Sequence, residues 1–425
     1  MYSISKAVHP EVTSGGNSRP SAKICFGEVE PHFTNDIKLH YKRVNLKHEL
    51  RLLYKWMTCC GIGCPVRLTE NTSLLLLQRI YSFLVLLLLW FNFIRTMSGL
   101  HNDIRNEVFV AQIVTLSWFL QCAMKATIWF VRDLQPSNTE DFFCHWNQLC
   151  QSVQSVQYGL GINQPKLQKS IKLIIGSIII LTMVNTSIIF IARVGPIEET
   201  KNETLYYYAP LPEDAQIPLM SLIPFHTLAY FFPVAEFVVI AKVLTRQFIN
   251  LRLVVIECLK KERWVESCGF LRTQHQNLAI AVYKADQMFC LYLAMEYSTT
   301  IAMLTFLLYQ LILIHNQFSL FVYAMMTIWT TAVVSMIASV SWFSAVMHEQ
   351  AHEIVHFIHN AIVPSEPSNK YVLEMDMLLA KLNGPNIAFT VYTLMPITKG
   401  FILTVIGVML TYFALAVQSL PSKSV

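Results

Sequence analysis

The segment 171–192, IKLIIGSIIILTMVNTSIIFIA, decides the fold of this chain, because its only charged residue is Lys172. An α-helix rises about 1.5 Å per residue, so about 20 apolar residues cross the hydrocarbon core of a bilayer. The segment 74–94, LLLLQRIYSFLVLLLLWFNFI, has the same apolar character. Both segments therefore predict helices that span a membrane.

Seven segments of the chain meet this requirement. They are 72–94, 108–131, 171–192, 219–241, 291–314, 319–347 and 397–418. The composition agrees, since 54% of the 425 residues are hydrophobic and 14% are charged, whereas soluble domains carry roughly 25% charged residues. No run of alternating strands is visible, which favours an all-α membrane protein over a β-barrel. The net charge of +5 is small for this length and gives no reason to expect nucleic-acid binding.

The orientation of the spans follows from the Lys and Arg residues of alternate loops, because cytoplasmic loops are enriched in them. One set of loops carries 23 of these residues and the other carries 5. The richer set is assigned to the cytoplasm, which places the N-terminus inside and the C-terminus outside. A G-protein-coupled receptor has the opposite orientation, so this class is excluded.

This topology predicts the domain organisation and places the chain in the plasma membrane as a multi-pass protein. The predicted parts are a cytoplasmic N-terminal segment (1–71), transmembrane helices 1–4 (72–241), a cytoplasmic helical extension (242–290), transmembrane helices 5–6 (291–347), cytoplasmic anchor helices (348–396), transmembrane helix 7 (397–418) and an extracellular tail (419–425).

Asn202 opens the sequon Asn202-Glu203-Thr204 in a predicted outer loop and is the expected glycosylation site. None of the ten cysteines falls in a predicted outer loop, so no extracellular disulfide is expected. The group Cys59, Cys60 and Cys64 lies close to the membrane. We interpret it as reduced thiols, with palmitoylation as the alternative.

The string His348-Glu349-Gln350-Ala351-His352 matches H-E-x-x-H, the pattern in which two histidines one helical turn apart bind zinc. A zinc protease is therefore one alternative function, with Glu349 as the general base. A third ligand is missing from any recognisable motif nearby, so a structural histidine cluster is favoured. We expect no catalytic residue, no bound metal and no cofactor.

Titratable residues at membrane depth are costly unless they are paired or hydrated. The second predicted span contains Lys125 and is expected to face protein or water rather than lipid. Glu236 and Glu296 fall in the fourth and fifth predicted spans. The expected arrangement is interhelical pairing, and the alternative is a role in ion passage.

A ligand pocket is expected where aromatic and hydrogen-bonding residues gather in the outer halves of the spans, because small organic ligands bind in apolar pockets with a few polar groups. The candidate ligand-binding residues are Thr186, Phe190, His226, Tyr230, Phe306, Tyr309, Gln310, Tyr323 and Thr330.

The C-terminal segment 384–418, GPNIAFTVYTLMPITKGFILTVIGVMLTYFALAVQ, contains Thr411-Tyr412, five further residues and then Gln418. This spacing resembles the TY-x5-Q signature of the invertebrate gustatory receptor family, which is related to the insect odorant receptors. Similar positions are Arg246 to Leu251, His275 to Leu278, and Glu349 with Ala351. The N-terminal segment 50–65, LRLLYKWMTCCGIGCP, is also similar.

The resemblance implies a chemosensory receptor that is a ligand-gated, non-selective cation channel of four subunits, either identical or mixed. In that family the seventh helix lines the pore, cytoplasmic extensions form the tetrameric anchor, and a small-molecule tastant binds in the outer half of helices two to six. Gln418 then faces the pore near its extracellular gate, and Thr411 and Tyr412 hold the seventh helix. The implied partners are the tastant, permeating cations, the lipid bilayer and further subunits.

One residue departs from the family pattern, because the signature usually ends in Gln-Phe and here Ser419 follows Gln418. A small polar side chain closes a dewetted constriction less well than a bulky apolar one. Val417 or Leu420 is then expected to form the gate. A seven-helix receptor that signals through other proteins, without its own conductance, is the alternative to a channel.

Overall fold

The computed structural model describes residues 45–63, 71–100, 107–151, 164–194, 219–260, 264–313, 319–359, 369–382, 384 and 386–418. The predicted glycosylation site Asn202, the predicted gate residues Ser419 and Leu420, and Cys64 lie outside these residues.

Helices make up nearly all the regular structure of the described residues. In chain order they are α1 (Leu46–Glu49), α2 (Arg51–Cys59), α3 (Thr72–Ser98), α4 (Glu107–Leu134), α5 (Ser137–Gln151), α6 (Gln164–Val194), α7 (Ile223–Lys260), α8 (Trp264–Leu313), α9 (Leu320–His352), α10 (Ile354–His359), α11 (Asn369–Leu382) and α12 (Lys399–Gln418). A two-stranded antiparallel ribbon, β1 (Thr390–Val391) and β2 (Met395–Pro396), precedes α12.

Six of these helices, α3, α4, α6, α7, α8 and α9, are long and apolar enough to cross a membrane, and α12 adds a shorter apolar helix. The prediction of an all-α membrane protein is therefore confirmed. Helix α7 is the centre of the bundle, since 83% of its most apolar stretch is buried, compared with 22% for α3 and for α6. The outer helices instead expose leucine and isoleucine side chains, which suit a lipid environment.

Helices α7 and α8 are longer than a bilayer requires. They contain 38 and 50 residues, which correspond to about 57 and 75 Å of helix, whereas the hydrocarbon core is about 30 Å thick. Each helix therefore continues well beyond one membrane face.

The short helix α2 is amphipathic and packs against the bundle through Leu53, Tyr54 and Met57. The Tyr54 hydroxyl donates a hydrogen bond of 3.1 Å to Glu236 Oε1 on α7. At its end Cys59 is exposed, whereas Cys60 is buried, and this burial raises the pKa of the Cys60 thiol to about 12. Cys60 therefore stays a protonated thiol at neutral pH.

Pro233 lies inside α7, close to the middle of the bundle. Proline has no backbone N–H, so the turn before it loses a helical hydrogen bond. Lys125 Nζ, from α4, donates to the carbonyl oxygen of Tyr230 in that turn at 3.2 Å. The carbonyl that loses its helical partner is that of Ala229, four residues before the proline, so Lys125 binds a neighbouring backbone oxygen in the same turn.

The β1–β2 ribbon connects the helices at one end of the bundle to α12. Its turn places Tyr392 and Thr393 at φ of 51° and 60°, a region that side chains other than glycine adopt rarely. Asp286 on α8 holds the ribbon, because Oδ1 accepts the Thr390 N–H at 2.6 Å and Oδ2 accepts the Thr390 hydroxyl at 2.7 Å. Helix α12 begins three residues after the ribbon ends.

Candidate functional site

An apolar cavity of about 100 Å³ lies beside the first turns of α7, which begins at Ile223. Five helices, α4, α6, α7, α8 and α9, form its wall. The lining residues are Val114, Thr115, Trp118, Phe119, Leu181, Val184, Asn185, Ile189, Ala192, Ile223, Thr227, Tyr230, Phe231, Met303, Leu307, Met325, Ile328, Trp329, Ala332 and Val333. An apolar cavity of about 150 Å³ binds benzene, so this smaller cavity has the chemistry for a small apolar ligand.

Two tryptophans face each other in the wall. The rings of Trp118 on α4 and Trp329 on α9 stack at a centroid distance of 6.5 Å. His226 packs behind Trp118 and Phe119, with centroid distances of 5.7 and 4.7 Å. Large rigid side chains of this kind bury much apolar area with little loss of rotamer freedom, so they define the shape of the cavity.

Three polar side chains of the wall bond to one another or to the backbone, whereas the buried hydroxyl of Tyr230 has no hydrogen-bond partner among the described residues. Thr115 and Thr227 donate to the carbonyl oxygens of Ala111 and Ile223 on their own helices, at 3.0 and 2.9 Å. Asn185 on α6 joins two other helices. Its Nδ2 donates to Thr227 Oγ1 at 2.9 Å, and its Oδ1 accepts the indole N–H of Trp329 at 2.9 Å.

A buried charge cluster lies deeper in the bundle, next to Tyr230. Lys125 Nζ is 2.8 Å from Glu296 Oε2, and both side chains are completely buried. The same ammonium lies 4.0 Å from the centre of the Tyr230 ring, a cation–π distance. One turn along α8, Thr300 Oγ1 accepts the amide of Gln121 at 2.8 Å. The cavity therefore has a buried ion pair beneath one of its lining residues.

A second buried carboxylate, Glu236, lies one to two turns further along α7. Its oxygens accept the indole N–H of Trp129 at 2.6 Å and bonds from the Tyr54 hydroxyl and Arg132 guanidinium, both at 3.1 Å. This carboxylate and Glu296 each have a basic partner on α4, which is an interhelical pairing.

Of the nine predicted ligand-binding residues, Tyr230 lines the cavity and the other eight lie outside the lining. Thr186 and His226 are next to lining residues, and His226 bonds to Leu222 and Asn92. Gln310 is buried. Thr330 donates to the Met326 carbonyl. Phe190, Phe306 and Tyr323 expose 36% or more of their surface, and Tyr309 is half-buried.

Sequence reasoning missed Trp118, Trp329 and Asn185, which contribute most to the chemistry of the wall. One signal was available for Asn185, because it is the only amide in the apolar segment 171–192. No comparable signal marks the two tryptophans, since each lies in a helix that is apolar on several faces.

The predicted pore residues lie on α12, which packs along α8 and leaves much of its surface uncovered. Thr411, Tyr412, Val417 and Gln418 are exposed. Thr404, Thr411 and Gln418 recur every seven residues and are all exposed, so they form a polar stripe on one face of the helix. We call this the α12 polar stripe.

The histidines of the H-E-x-x-H string bond to the chain that leads to the ribbon. His352 Nδ1 lies 3.2 Å from the Leu382 carbonyl oxygen, and its Nε2 accepts the Ile387 N–H at 3.2 Å. His348 Nδ1 lies 3.2 Å from the Ile387 carbonyl oxygen, and Glu349 pairs with Lys399 at 2.7 Å. The described residues contain no group of three potential metal ligands. Both ring nitrogens of His352 lie within hydrogen-bonding distance of backbone groups, so the H-E-x-x-H string holds the segment that leads to the β1–β2 ribbon.

Comparison with solved structures identifies the same fold in another protein. The insect olfactory receptor OR5 from Machilis hrabei matches over 88% of this chain and 99% of its own, with a TM-score of 0.68 and 14% identity. The structure of that receptor in complex with eugenol matches over the same shares, with a TM-score of 0.60 and 15% identity. No protein-family model and no curated protein sequence matches the chain.

The fold expected from the TY-x5-Q resemblance is confirmed by this comparison. The chain has the seven-helix membrane fold of the insect olfactory receptors.

Proposed function

We propose that this chain is a subunit of a ligand-gated, non-selective cation channel that acts as a gustatory-type chemosensory receptor in the plasma membrane. The observation that carries the proposal is the apolar cavity between five helices, in a fold that is also that of a receptor solved in complex with eugenol.

The cavity supports a small apolar tastant as the ligand. Its wall is almost entirely hydrocarbon and aromatic, and its charged neighbours Lys125 and Glu296 neutralise each other behind Tyr230. A charged ligand finds no partner in such a wall. Binding opens the pore only if the ligand contacts the open state better than the closed state.

The seventh helix supports the pore assignment. The α12 polar stripe gives a polar face to a helix whose one charged residue, Lys399, lies at its first position. Because this helix has no carboxylate, weak selectivity among monovalent cations is expected. The exposed apolar residues beside the stripe, such as Leu403 and Leu410, suit contacts with neighbouring copies or related subunits in a tetramer.

The test is electrical recording from the purified protein in planar bilayers, with eugenol and a panel of sugars and bitter compounds as ligands. We expect ligand-dependent current that reverses near 0 mV with equal concentrations of NaCl on one side and KCl on the other, because a non-selective cation channel does not distinguish the two cations. Gln418→Ala changes single-channel conductance or relative permeability, because it alters the polar stripe. Leu410→Val is the matched control on a different face of α12 and leaves permeation unchanged.

Two outcomes contradict the proposal. Ligand binding without current, in protein that forms oligomers, favours a receptor that signals through other proteins. If Gln418→Ala and Leu410→Val change permeation equally, the α12 polar stripe does not line the pore.

A further inference from the structure

Asn185 is the polar side chain of the cavity wall that keeps both hydrogen-bonding capacity and accessible surface. The wall contains four polar side chains, Thr115, Asn185, Thr227 and Tyr230. Thr115 and Thr227 are buried, and each hydroxyl donates to its own helix backbone. The Tyr230 hydroxyl has no hydrogen-bond partner among the described residues, but the oxygen is completely buried and exposes no surface to a ligand. Asn185 alone among the four is half-buried.

The Asn185 side chain can form more hydrogen bonds than the two it makes to Thr227 and Trp329. A side-chain amide has two N–H donors and an oxygen with two lone pairs. One N–H bonds to Thr227, and one lone pair accepts from Trp329. One N–H and one lone pair remain for a further group. The two existing bonds come from α7 and α9, so they hold the amide in one orientation against the cavity.

From this geometry we infer that Asn185 is the specificity-determining residue of the cavity, and that it selects apolar ligands that carry one hydroxyl or carbonyl oxygen. An alcohol or phenol donates to Oδ1 or accepts from Nδ2, while its hydrocarbon part packs against Trp118 and Trp329. The inference rests on the proposed function, because it assumes that the cavity binds the ligand.

The oxygen of the ligand becomes buried on binding, and whether it forms a hydrogen bond there decides its effect on affinity. Adding a hydroxyl to a hydrocarbon lowers its affinity for an apolar cavity unless the hydroxyl finds a partner, because an unpaired buried polar group carries its full desolvation cost. With Asn185 present the hydroxyl is paired. With Asn185 replaced by an apolar residue of similar size, the same hydroxyl is buried alone.

The experiment measures equilibrium binding by quenching of tryptophan fluorescence, since Trp118 and Trp329 lie in the cavity wall. The full chain in lipid nanodiscs is titrated with two matched pairs, thymol with para-cymene and 2-phenylethanol with ethylbenzene. The measured quantity is the ratio of the hydrocarbon Kd to the Kd of its oxygenated partner. This readout does not depend on channel opening.

Asn185→Leu is expected to lower this ratio by about 5-fold or more in both pairs. Asn185→Ser, which cannot span from Thr227 to Trp329, lowers it in the same direction and serves if the leucine variant does not fold. Thr115→Val is the matched control in the same wall, and it leaves the ratio unchanged because the Thr115 hydroxyl already bonds to Ala111.

Unchanged ratios in both Asn185 variants overturn the inference while the cavity remains a ligand site. A fall of the same size in Thr115→Val also overturns it, because the effect then belongs to general polarity of the wall. Absence of binding by all four compounds to folded protein instead contradicts the proposed role of the cavity, and this outcome is distinct from the other two.

Discussion

At the scale of single residues, the Lys125–Glu296 pair shows what a buried charge costs in this bundle. Both side chains are fully buried, with Nζ and Oε2 2.8 Å apart. Removal of one partner leaves the other without compensation, and such losses cost about 3–5 kcal/mol. The pair thus holds α4 against α8 directly below the cavity.

We predict that Lys125→Met lowers the melting temperature of the purified protein strongly, because Glu296 is left as an unpaired buried carboxyl group. The double variant Lys125→Met with Glu296→Leu recovers most of the loss, since two apolar groups replace the pair. Thermal unfolding followed by size-exclusion chromatography measures both effects.

The matched control is the exposed pair Lys399–Glu349, with side chains 65% and 47% exposed. Exposed ion pairs contribute at most about 1 kcal/mol, so Lys399→Met shifts the melting temperature little. Equal losses in Lys125→Met and Lys399→Met would falsify the claim that burial makes the first pair critical.

At the scale of elements, the β1–β2 ribbon places the start of α12. Asp286 on α8 accepts two hydrogen bonds from Thr390, and His352 on α9 accepts the N–H of Ile387 just before the ribbon. Two helices of the bundle therefore hold the segment from which the seventh helix begins.

We predict that Asp286→Asn loosens this ribbon, because a neutral amide has one acceptor oxygen instead of two and replaces the charge-assisted bonds to Thr390 by weaker ones. Hydrogen exchange of the segment 386–398, followed by mass spectrometry, is expected to rise by about 5-fold or more, which corresponds to about 1 kcal/mol.

The control for this prediction is Asp141→Asn. The Asp141 side chain is 70% exposed and lies 4.0 Å from Lys284, so its amide variant leaves exchange of 386–398 unchanged. Exchange that is unaltered in Asp286→Asn would show that the ribbon is held by the histidine contacts instead.

At the scale of the whole molecule, α12 packs along α8 and leaves much of its surface uncovered. Leu403, Leu410 and Leu415 expose 70%, 64% and 55% of their surface. In the proposed tetramer the α12 polar stripe faces the pore together with Leu415, which lies one turn from Thr411, and Leu403 and Leu410 face the adjacent subunits.

We predict that Leu403→Cys forms cross-linked dimers to tetramers with a short bismaleimide in membranes, because the residue lies on the proposed subunit contact. Met183→Cys on α6 is the matched control, since its side chain is 64% exposed on an outer helix that is expected to face lipid. Both are compared with the parent chain, which has its own exposed cysteines, Cys59 and Cys144. Cross-linking of Met183→Cys alone would place the subunit contact on α6 and contradict the proposed assembly.

The all-α membrane character of the chain could be predicted from the sequence, and six of the seven predicted spans correspond to helices of membrane length in the described residues. Hydropathy over about 20 residues is a local property, and a spanning helix must satisfy its backbone hydrogen bonds within itself. The same local reasoning predicted that Glu236 and Glu296 are paired. It did not identify their partners, because Lys125 and Arg132 are more than 100 residues away along the chain.

Tertiary structure alone decided which side chains line the cavity. In lipid both faces of a helix are apolar, so the pattern of residues does not show which face turns inward. Phe190 and Phe306 look as suitable as Trp118 and Trp329 in the sequence, yet the first two lie outside the lining and the second two stack within it.

The sequence by itself therefore determined a bundle of apolar membrane helices and the cost of their buried charges. The rotation of each helix about its axis was decided by packing around α7, through contacts such as Asn185 with Thr227 and Trp329. These contacts join residues far apart in the chain, and for that physical reason the cavity exists only in the folded structure.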